Sequence, residues 1–569
     1  MTIMQDEFIL GIQGWKTRSH DASACLLKCT NGKVEIVAAA EEERFIGIKH
    51  AYDTFPVHAV TFCLDFAGIA PQDLSAVAMP FDYPLIYATR SINLKIDPKD
   101  LQESVFPAYR INSQLKFVFV NHHLAHALSA FSPAMVDAAS IIVVDGQGEN
   151  ESTTLWRATD RGKNIEKLAS SGIGHSLGYF YEALTEFIGF EPNEAGKTMG
   201  LAPYGKPHPF YETLRDLVYV HQGVVRVKGL ELQVDTSGKT FDEQHLVRPY
   251  WMQKFEDITG LNPNDSSRKY SFRKFPRDYL NLAAAGQQLL EKIVVELAMQ
   301  VHQRTGIVNL GIAGGVGLNC VANGKIAELG IFRKIYVQPA SNDAGTSLGA
   351  ALEVARQKGY DISHTAMTPY LGPSYSDSQI ENILKSKHLP CRIEENAARL
   401  IAELIEQGKV VGLFQDRAEF GPRALGNRSF VADPRSASMQ DLVNGYIKDR
   451  EDGRPLAPSV MSEQSAYFFG NELDAPHMTV AYKMKTKLDA VTHVDGSTRP
   501  QIVTPKANPV FHEQLREINN RLGVGAVLNT SLNRHGPIIH TPYQALQLLE
   551  KTEAAALIFN NKYVVMKNA

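Results

Sequence analysis

Short apolar runs alternate with longer amphipathic stretches through the first 360 residues. Phe8 to Gly14 is an apolar run closed by glycine, the pattern of a buried strand meeting a turn. Ala24–Leu27 and Val34–Val37 flank Asn31-Gly32, a pair that tolerates positive φ and so predicts a hairpin. Val57 to Gly68 reads as an amphipathic helix and Ala76 to Met79 as a short strand. Strands are then predicted at Lys116–Val120, Ile141–Asp145 and Thr153–Trp156, with a helix beginning at His122 between the first two. A long helical pattern runs from Asp278 to about Thr305, and the buried run Val308–Ala313 enters Gly314-Gly315-Val316-Gly317-Leu318-Asn319. A further strand and helix follow, Lys334–Val337 and Gly345–Arg356. Strand clusters followed by helix and strand alternation predict an α/β layered domain. The stretch from about Val218 to Lys274 is polar, broken by Gly and Pro, and reads as an insertion without chemistry. No internal repeat is visible in the sequence.

Periodicity breaks at Met367-Thr368-Pro369-Tyr370-Leu371-Gly372-Pro373. Beyond it, roughly 200 residues carry their own apolar strands, such as Val410–Phe414 and Ala526–Leu528, and form a second domain. Two to four domains are expected at 569 residues, and the division predicted is 1–362 and 370–569.

Composition narrows the class: 44% apolar and 21% charged residues describe a globular protein. A net charge of -4 argues against a dedicated nucleic-acid surface, though not against a local basic pocket. The five cysteines form no CxxC pair, so neither a disulfide framework nor a cysteine-rich zinc site is expected. The N-terminal segment lacks the basic start and apolar core of a secretory signal, and no apolar run spans a bilayer. A cytoplasmic protein without a membrane partner is the expectation.

The candidate chemistry concentrates in a few segments. In Asn121-His122-His123-Leu124-Ala125-His126, His122 and His126 fall on one helix face, one turn and about 6 Å apart. Asp145 ends an apolar run at a glycine turn, and Asp343 occupies a similar position in Ser341-Asn342-Asp343-Ala344-Gly345. Two nitrogens and two carboxylates suit one divalent cation. Asp343 alone would equally serve as a helix N-cap. His123 points elsewhere on the helix. In His20-Asp21-Ala22-Ser23-Ala24, His20 suits a general base oriented by Asp21, or the motif is a turn satisfied by its own Asp and Ser. Gly314, Gly315 and Gly317 expose backbone N–H groups to phosphate, or pack tightly and nothing more. Gly196-Lys197-Thr198-Met199-Gly200 reads as a loop, phosphate-binding through Lys197 or a hinge. The charge run Glu41-Glu42-Glu43-Arg44 resembles a solvated face, with Lys49 beyond it suited to an acyl phosphate. In the second domain, Arg423, Arg428, Lys448, Arg450, Arg454 and Arg499 stand beside Gly and Pro at strand or loop ends. They are read as one anion pocket, against the alternative of surface ion pairs.

Taken in order, the segments HDASA, EEERF, HHLAHA, VDGQGE, GKTMGLAPYG, GGVGLN, GPRALGNRS and LNTS make the chain resemble the O-carbamoyltransferases of nodulation-factor and antibiotic biosynthesis over nearly its whole length. The resemblance implies an α/β architecture: an amino-terminal domain of the actin-like ATPase fold and a YrdC-like carboxy-terminal domain. It implies an ATP-dependent enzyme that makes carbamoyl adenylate from carbamoyl phosphate and passes the carbamoyl group to a hydroxyl of a secondary metabolite, such as an aminoglycoside or another sugar-containing antibiotic. Carried over by motif, His122, His126, Asp145 and Asp343 would hold a divalent metal, Fe2+, with Mg2+ accompanying ATP. His20 would be the base for the acceptor hydroxyl, and Lys49 would hold the adenylate. Gly314, Gly315, Gly317, Asn319 and Lys197 would contact the nucleotide; Arg423, Lys448, Arg499 and Asn529 would bind carbamoyl phosphate or its adenylate. A homodimer is among the expectations; a nucleic-acid partner is not. Three departures from the family pattern concern the second pocket: Asp416 where glycine is common, Asp452-Gly453 before Arg454-Pro455, and Leu532 where phenylalanine is usual. The competing readings are a tRNA threonylcarbamoyl transferase-like enzyme, which shares the metal motif, and a non-catalytic nucleotide-binding scaffold.

Overall fold

The computed structural model describes residues 6–89, 96–111, 114–230, 243–267 and 270–567. They group into two compact units: Met1–Glu42, His50–Lys269 and Phe275–Met367 form the first, and Glu43–Lys49, Tyr270–Lys274 and Thr368–Ala569 the second.

The first unit opens with a meander, β1 (Glu7–Gln13), β2 (Ser23–Thr30) and β3 (Lys33–Glu41). Asn31 and Gly32 both take positive φ, 52° and 76°, which matches the right-handed twist of the flanking strands and closes the expected hairpin. The helix Val57–Ala67, β4 (Leu74–Met79), the helix Pro98–Val105, β5 (Phe117–Phe119) and the helix His122–Phe131 follow. The sheet order is β3-β2-β1-β4-β5, with β1 antiparallel to β2 and parallel to β4.

The chain then repeats the pattern. A second meander, β6 (Ala139–Val144), β7 (Glu151–Thr159) and β8 (Asn164–Gly172), leads through helices and a small hairpin, β9 (Val218–His221) with β10 (Val224–Val227), to the long helix Arg277–Thr305. Then come β11 (Asn309–Ala313), the helix Cys320–Glu328, β12 (Lys334–Val337) and the helix Thr346–Gln357. The order β12-β11-β6-β7-β8, with β6 antiparallel to β7 and parallel to β11, is the first sheet over again. The unit is therefore a duplicated βββαβαβα module, the topology an actin-like fold requires, although the sequence betrays no repeat. Burial pattern and strand polarity define the module, and many sequences satisfy both. The last helices of the two copies pack closely: a Cβ on Gly349 would lie 1.7 Å from the Ala125 carbonyl oxygen.

Two further sequence readings need correction. Gly196–Ala202 is not a loop; residues Ala195–Leu201 are helical, and Thr198 Oγ1 donates to Thr185 Oγ1 of the helix Leu177–Ile188 at 2.9 Å. Small residues there permit close helix packing. Nor is the charge run a solvated face. Glu42 is buried and accepts the Ala59 amide at 2.8 Å, while Arg44 is buried with its guanidinium on the carbonyl oxygens of Glu419 and Gly421. The stretch read as chemically quiet ends in Tyr270–Lys274, which joins the second unit: the Phe272 amide donates to Asp452 O at 3.1 Å and Arg273 pairs with Asp441 at 2.9 Å.

The second unit is built on an eight-stranded mixed sheet, β13 (Arg392–Ile393), β14 (Val411–Phe414), β15 (Arg428–Ala432), β16 (Ala457–Met461), β19 (Gln501–Val503), β20 (Ala526–Ser531), β21 (Ala556–Phe559) and β22 (Tyr563–Met566), in the order β13-β22-β21-β14-β15-β20-β16-β19. A separate two-stranded ribbon joins β17 (Tyr482–Lys483) to β18 (Ser497–Thr498). Alternate residues of each strand face opposite layers. Val411, Leu413, Val527 and Ile558 pack with the helices Ala398–Glu406 and Pro509–Leu522; Phe414, Leu528, Leu557 and Phe559 pack with Asp377–Ser386 and Pro542–Lys551. Among the described residues, no helix is long and apolar enough to cross a membrane.

Candidate metal centre and anion pocket

The matching edges of the two copies in the first unit bring four ligand-type side chains together. Asn121 caps the helix His122–Phe131 through Leu124 N at 2.9 Å, which sets His122 and His126 on its first turns. Asp145 follows the first strand of the second copy, and Asp343 lies in the turn before that copy's last helix. His122 Nε2 is 3.2 Å from Asp145 Oδ2 and 3.6 Å from Asp343 Oδ1; His126 Nε2 is 3.9 and 3.6 Å from the same two atoms. Ligands about 2.1 Å from one cation stand roughly 3.0–3.4 Å apart at tetrahedral or adjacent octahedral positions. The four groups are buried; His122 to Asp145 falls within that spacing, and the other three separations exceed it by 0.2–0.5 Å, a difference that side-chain movement closes.

The hydrogen bonds around the cluster point the same way. His122 Nδ1 lies 3.0 Å from the Pro80 carbonyl oxygen, which fixes the proton on Nδ1 and turns the Nε2 lone pair toward the carboxylates. Its ring stacks on Phe81 with centroids 4.0 Å apart. Asp145 spends Oδ1 on the Gly315 amide at 2.7 Å, and Asp343 spends Oδ2 on Gln13 Nε2 at 3.1 Å. Each carboxylate thus keeps one oxygen for the cluster. Neither ring nitrogen of His126 has a hydrogen-bond partner, and a buried imidazole left without one beside two carboxylates suits a metal ligand. Burial disfavours charge on His122, but Asp343, Asp145 and Glu149 prevail and raise it to about 9. Burial likewise works against Asp145, yet the hydrogen bond from His122 and the charge of His126 hold it well below the carboxylate range. A bound cation replaces those protons. His123 is a different case: its Nδ1 lies 2.9 Å from Thr154 Oγ1, and burial pushes it down to about 3.

His20 sits at the edge of this cluster, half-exposed, with Nε2 4.0 Å from Asp343 Oδ2 and Nδ1 3.0 Å from Asp21 Oδ2. The other Asp21 oxygen holds His50 Nδ1 at 2.8 Å. Desolvation opposes charge on His20, and the carboxylates of Asp343, Asp21 and Asp145 outweigh it and raise its pKa well above the usual value. Two residues escaped the sequence reading. Gln13 Nε2 bridges Asp343 and the His20 carbonyl oxygen, at 3.2 Å for the latter. Glu182 faces the same charges, and burial, with Asp145 adding to it against His20, pushes its carboxyl up to about 7. Gln13 ends the first strand of the first copy, as Asp145 follows that of the second, and only the duplication reveals that correspondence.

The glycine turn belongs to this centre. A Cβ on Gly314, which has φ +91°, would meet the Val144 carbonyl oxygen at 2.3 Å, and one on Gly317 would meet Ser341 Oγ at 2.3 Å. The turn's amides are partly engaged already: Gly315 N by Asp145, Gly317 N by Gly314 O and Asn319 N by Val316 O. Asn319 caps the next helix at Ala322 N and exchanges hydrogen bonds with Gln287. Lys197 pairs with Glu194 at 2.7 Å and lies over Phe190. Lys49 is exposed, in a segment of the second unit.

In the second unit, a π-helical turn, Val443–Ile447, delivers Lys448, Arg450 and Arg454. Burial and the neighbouring Arg450 and Arg454 disfavour charge on Lys448; burial and then Arg454 and Arg499 do so on Arg450. Glu451, 3.5 Å from Arg454, favours charge on Arg450 but is one carboxylate among several desolvated cations, a balance that suits a bound anion. Lys448 Nζ also fastens the turn after β20, at 2.7 Å from both Ser531 O and Asn533 O. Asn529 Nδ2 donates to Ser459 Oγ at 2.8 Å while its buried Oδ1 has no partner, nor does Arg499 Nε. Arg423 is half-buried in the turn before β15. Arg428 is structural instead: fully buried, it donates to the carbonyl oxygens of Gln415, Asp416, Asn427 and Pro373 and stacks on Phe414. Asp416 takes φ +48°, which explains why glycine suits that position, and Leu532 fills its core site.

Residues 91–352 match the carbamoyltransferase N-terminus family and residues 402–567 the carbamoyltransferase C-terminus family. The chain is 33% identical over 625 aligned positions to an uncharacterized Synechocystis protein, sll1178, covering 99% of this chain and 97% of that one. It is 33% identical to the nodulation protein NolNO of Sinorhizobium fredii, over 97% of this chain and 79% of the relative. It is 37% identical to a 3'-hydroxymethylcephem-O-carbamoyltransferase of Streptomyces clavuligerus, over 40% and 43% of the two chains. The chain belongs to the carbamoyltransferase family, and it is an enzyme.

Proposed function

We propose that this enzyme is an ATP-dependent O-carbamoyltransferase that takes carbamoyl phosphate in its second unit, forms carbamoyl adenylate, and transfers the carbamoyl group to a hydroxyl of a secondary metabolite. The observation that carries the reading is the position of His20, 4.0 Å from a carboxylate of a four-ligand metal centre, in a chain of this family. In the second unit, read as YrdC-like, the cations Arg423, Lys448, Arg450, Arg454 and Arg499 would take the phosphate oxygens and Asn529 the carbamoyl amide. Water hydrolyses carbamoyl phosphate to carbamate and inorganic phosphate; a carbamate oxygen then attacks the α-phosphorus of ATP, and pyrophosphate leaves. The mixed anhydride of carbamate and AMP is a better electrophile than carbamate itself because AMP is a good leaving group. ATP is assigned to the turn bearing Gly314, Gly315, Gly317 and Asn319, with Lys197 as the cationic contact and Mg2+ accompanying it; Lys49 is assigned to hold the carbamoyl adenylate. His122, His126, Asp145 and Asp343 would hold the divalent metal, proposed to be Fe2+, which supplies positive charge to the adenylate phosphate. A cation in the centre would offset the charge of Asp343 and Asp145 and leave His20 neutral; His20 would then take the proton of the acceptor hydroxyl as its oxygen attacks the carbamoyl carbon and AMP departs, with Asp21 fixing the ring. A hydroxymethyl acceptor is in the name of the Streptomyces relative, and an aminoglycoside or other sugar-containing antibiotic is the acceptor class proposed here.

The test is release of pyrophosphate and AMP by the purified, metal-loaded enzyme given ATP and carbamoyl phosphate, with aminoglycosides and other hydroxylated acceptors added in turn. His20→Ala is expected to keep carbamoyl-phosphate-dependent pyrophosphate release and lose carbamoyl transfer by at least 100-fold. Pyrophosphate release that ignores carbamoyl phosphate would refute the reading.

A further inference from the structure

The arginines of the anion pocket do not hold themselves in place. Asn444 lies within the π-helical turn Val443–Ile447 and is fully buried. Three hydrogen bonds join its side chain and carbonyl oxygen to the two arginine positions that follow. Asn444 Oδ1 accepts Arg450 Nε at 2.7 Å, Asn444 Nδ2 donates to the Arg454 carbonyl oxygen at 2.9 Å, and Asn444 O accepts the Arg450 amide at 3.0 Å. Gln440 Nε2 adds a longer bond to the same Arg454 oxygen, 3.3 Å. A π-turn places one extra residue in a helical turn and so aims a side chain that a regular helix would direct elsewhere. Here it aims an amide whose acceptor end and donor end serve two different segments.

The geometry points to Asn444 as the positioning residue of the anion pocket: it holds the Arg450 guanidinium and the Arg454 backbone in one arrangement before carbamoyl phosphate binds. Side chains that repel one another spread apart unless something fixes them: Arg450 and Arg454 disfavour charge on Lys448, and Arg454 and Arg499 disfavour it on Arg450, with Glu451 alone working the other way. A neutral amide fixes them without cancelling the positive field that an anion needs. A carboxylate in its place would hold Arg450 as an ion pair, oppose the Arg454 carbonyl oxygen and neutralise part of the pocket. The chemistry therefore favours asparagine over aspartate at a position where aspartate fits sterically.

This inference rests on the reading of the pocket as the carbamoyl phosphate site, and the experiment separates the two. Steady-state pyrophosphate release is measured for the wild type, Asn444→Ala, Asn444→Asp and Arg454→Met, varying carbamoyl phosphate at saturating ATP and then ATP at saturating carbamoyl phosphate. Asn444→Ala is expected to raise KM for carbamoyl phosphate about tenfold or more, with kcat and KM for ATP within threefold of wild type. Asn444→Asp, which keeps the volume and an acceptor for Arg450, is expected to raise that KM further, and added salt narrows its gap to the alanine variant. A purely structural role moves both KM values and kcat together in both variants, and that result overturns the inference. So does a normal KM in the aspartate variant. If Arg454→Met leaves KM for carbamoyl phosphate unchanged, the assignment of the pocket fails instead.

Discussion

Replacing Gln13 with leucine isolates the link between the metal centre and the turn that carries His20. In the wild type, Gln13 Nε2 donates to Asp343 Oδ2 at 3.1 Å and to the His20 carbonyl oxygen at 3.2 Å, while its buried Oε1 has no partner. A hydrogen bond to a charged acceptor contributes about 1.5–3 kcal/mol. Loss of an outer partner of a metal ligand lowers metal affinity about 10–100-fold, equivalent to about 1.4–2.7 kcal/mol. The two figures agree, so Gln13→Leu should weaken metal binding by that factor. Folding stability should change little, because the same substitution removes an unsatisfied buried oxygen that costs about 1–3 kcal/mol. Metal-free protein would be titrated with Co2+ against a competing chelator, its absorption reporting the ligands, and thermal unfolding followed in parallel. Unchanged affinity in Gln13→Leu, with binding abolished in His126→Ala, would show that Asp343 needs no orientation by Gln13 and would refute the reasoning. A large drop in thermal stability without metal would do the same.

The remaining expectations concern stability. Gly314→Ala should cost about 3 kcal/mol or more in chemical denaturation, since the new Cβ would lie 2.3 Å from the Val144 carbonyl oxygen at φ +91°; a loss under about 1 kcal/mol would mean that the turn yields easily. Burial holds the His477 imidazole down at about 4, so the unfolded chain takes its proton near 6.5 and the folded chain only near 4. Stability is therefore intact above pH 6.5 and falls as pH drops toward 4, by about 3 kcal/mol in all. The urea midpoint at pH 7 and pH 4.5 measures it, and His477→Gln should flatten the slope; equal slopes in both proteins would discount His477.

The strands, their turns and the histidine pair of the candidate metal cluster were legible in the chain because each rests on local chemistry. Asn31-Gly32 closes a hairpin wherever it occurs between apolar runs, and two histidines four apart share a helix face in any fold. The ordered motifs went further and carried the family. What the sequence hid depends on distance. The duplication of the first unit is a matter of strand order and polarity, which hydrophobic pattern does not encode, so Gln13 and Asp145 look unrelated until their strands are seen to correspond. Gly196 and Gly200 read as loop punctuation, yet tertiary packing against the helix Leu177–Ile188 keeps them helical. Among the six arginines and lysines read as one pocket, only the fold separates Arg428, spent on four backbone carbonyls, from Arg450 and Arg454, which lie close enough to Lys448 to disfavour its charge. A guanidinium's role is decided by what surrounds it, and 100 residues of intervening chain can supply that surrounding from anywhere in the sheet.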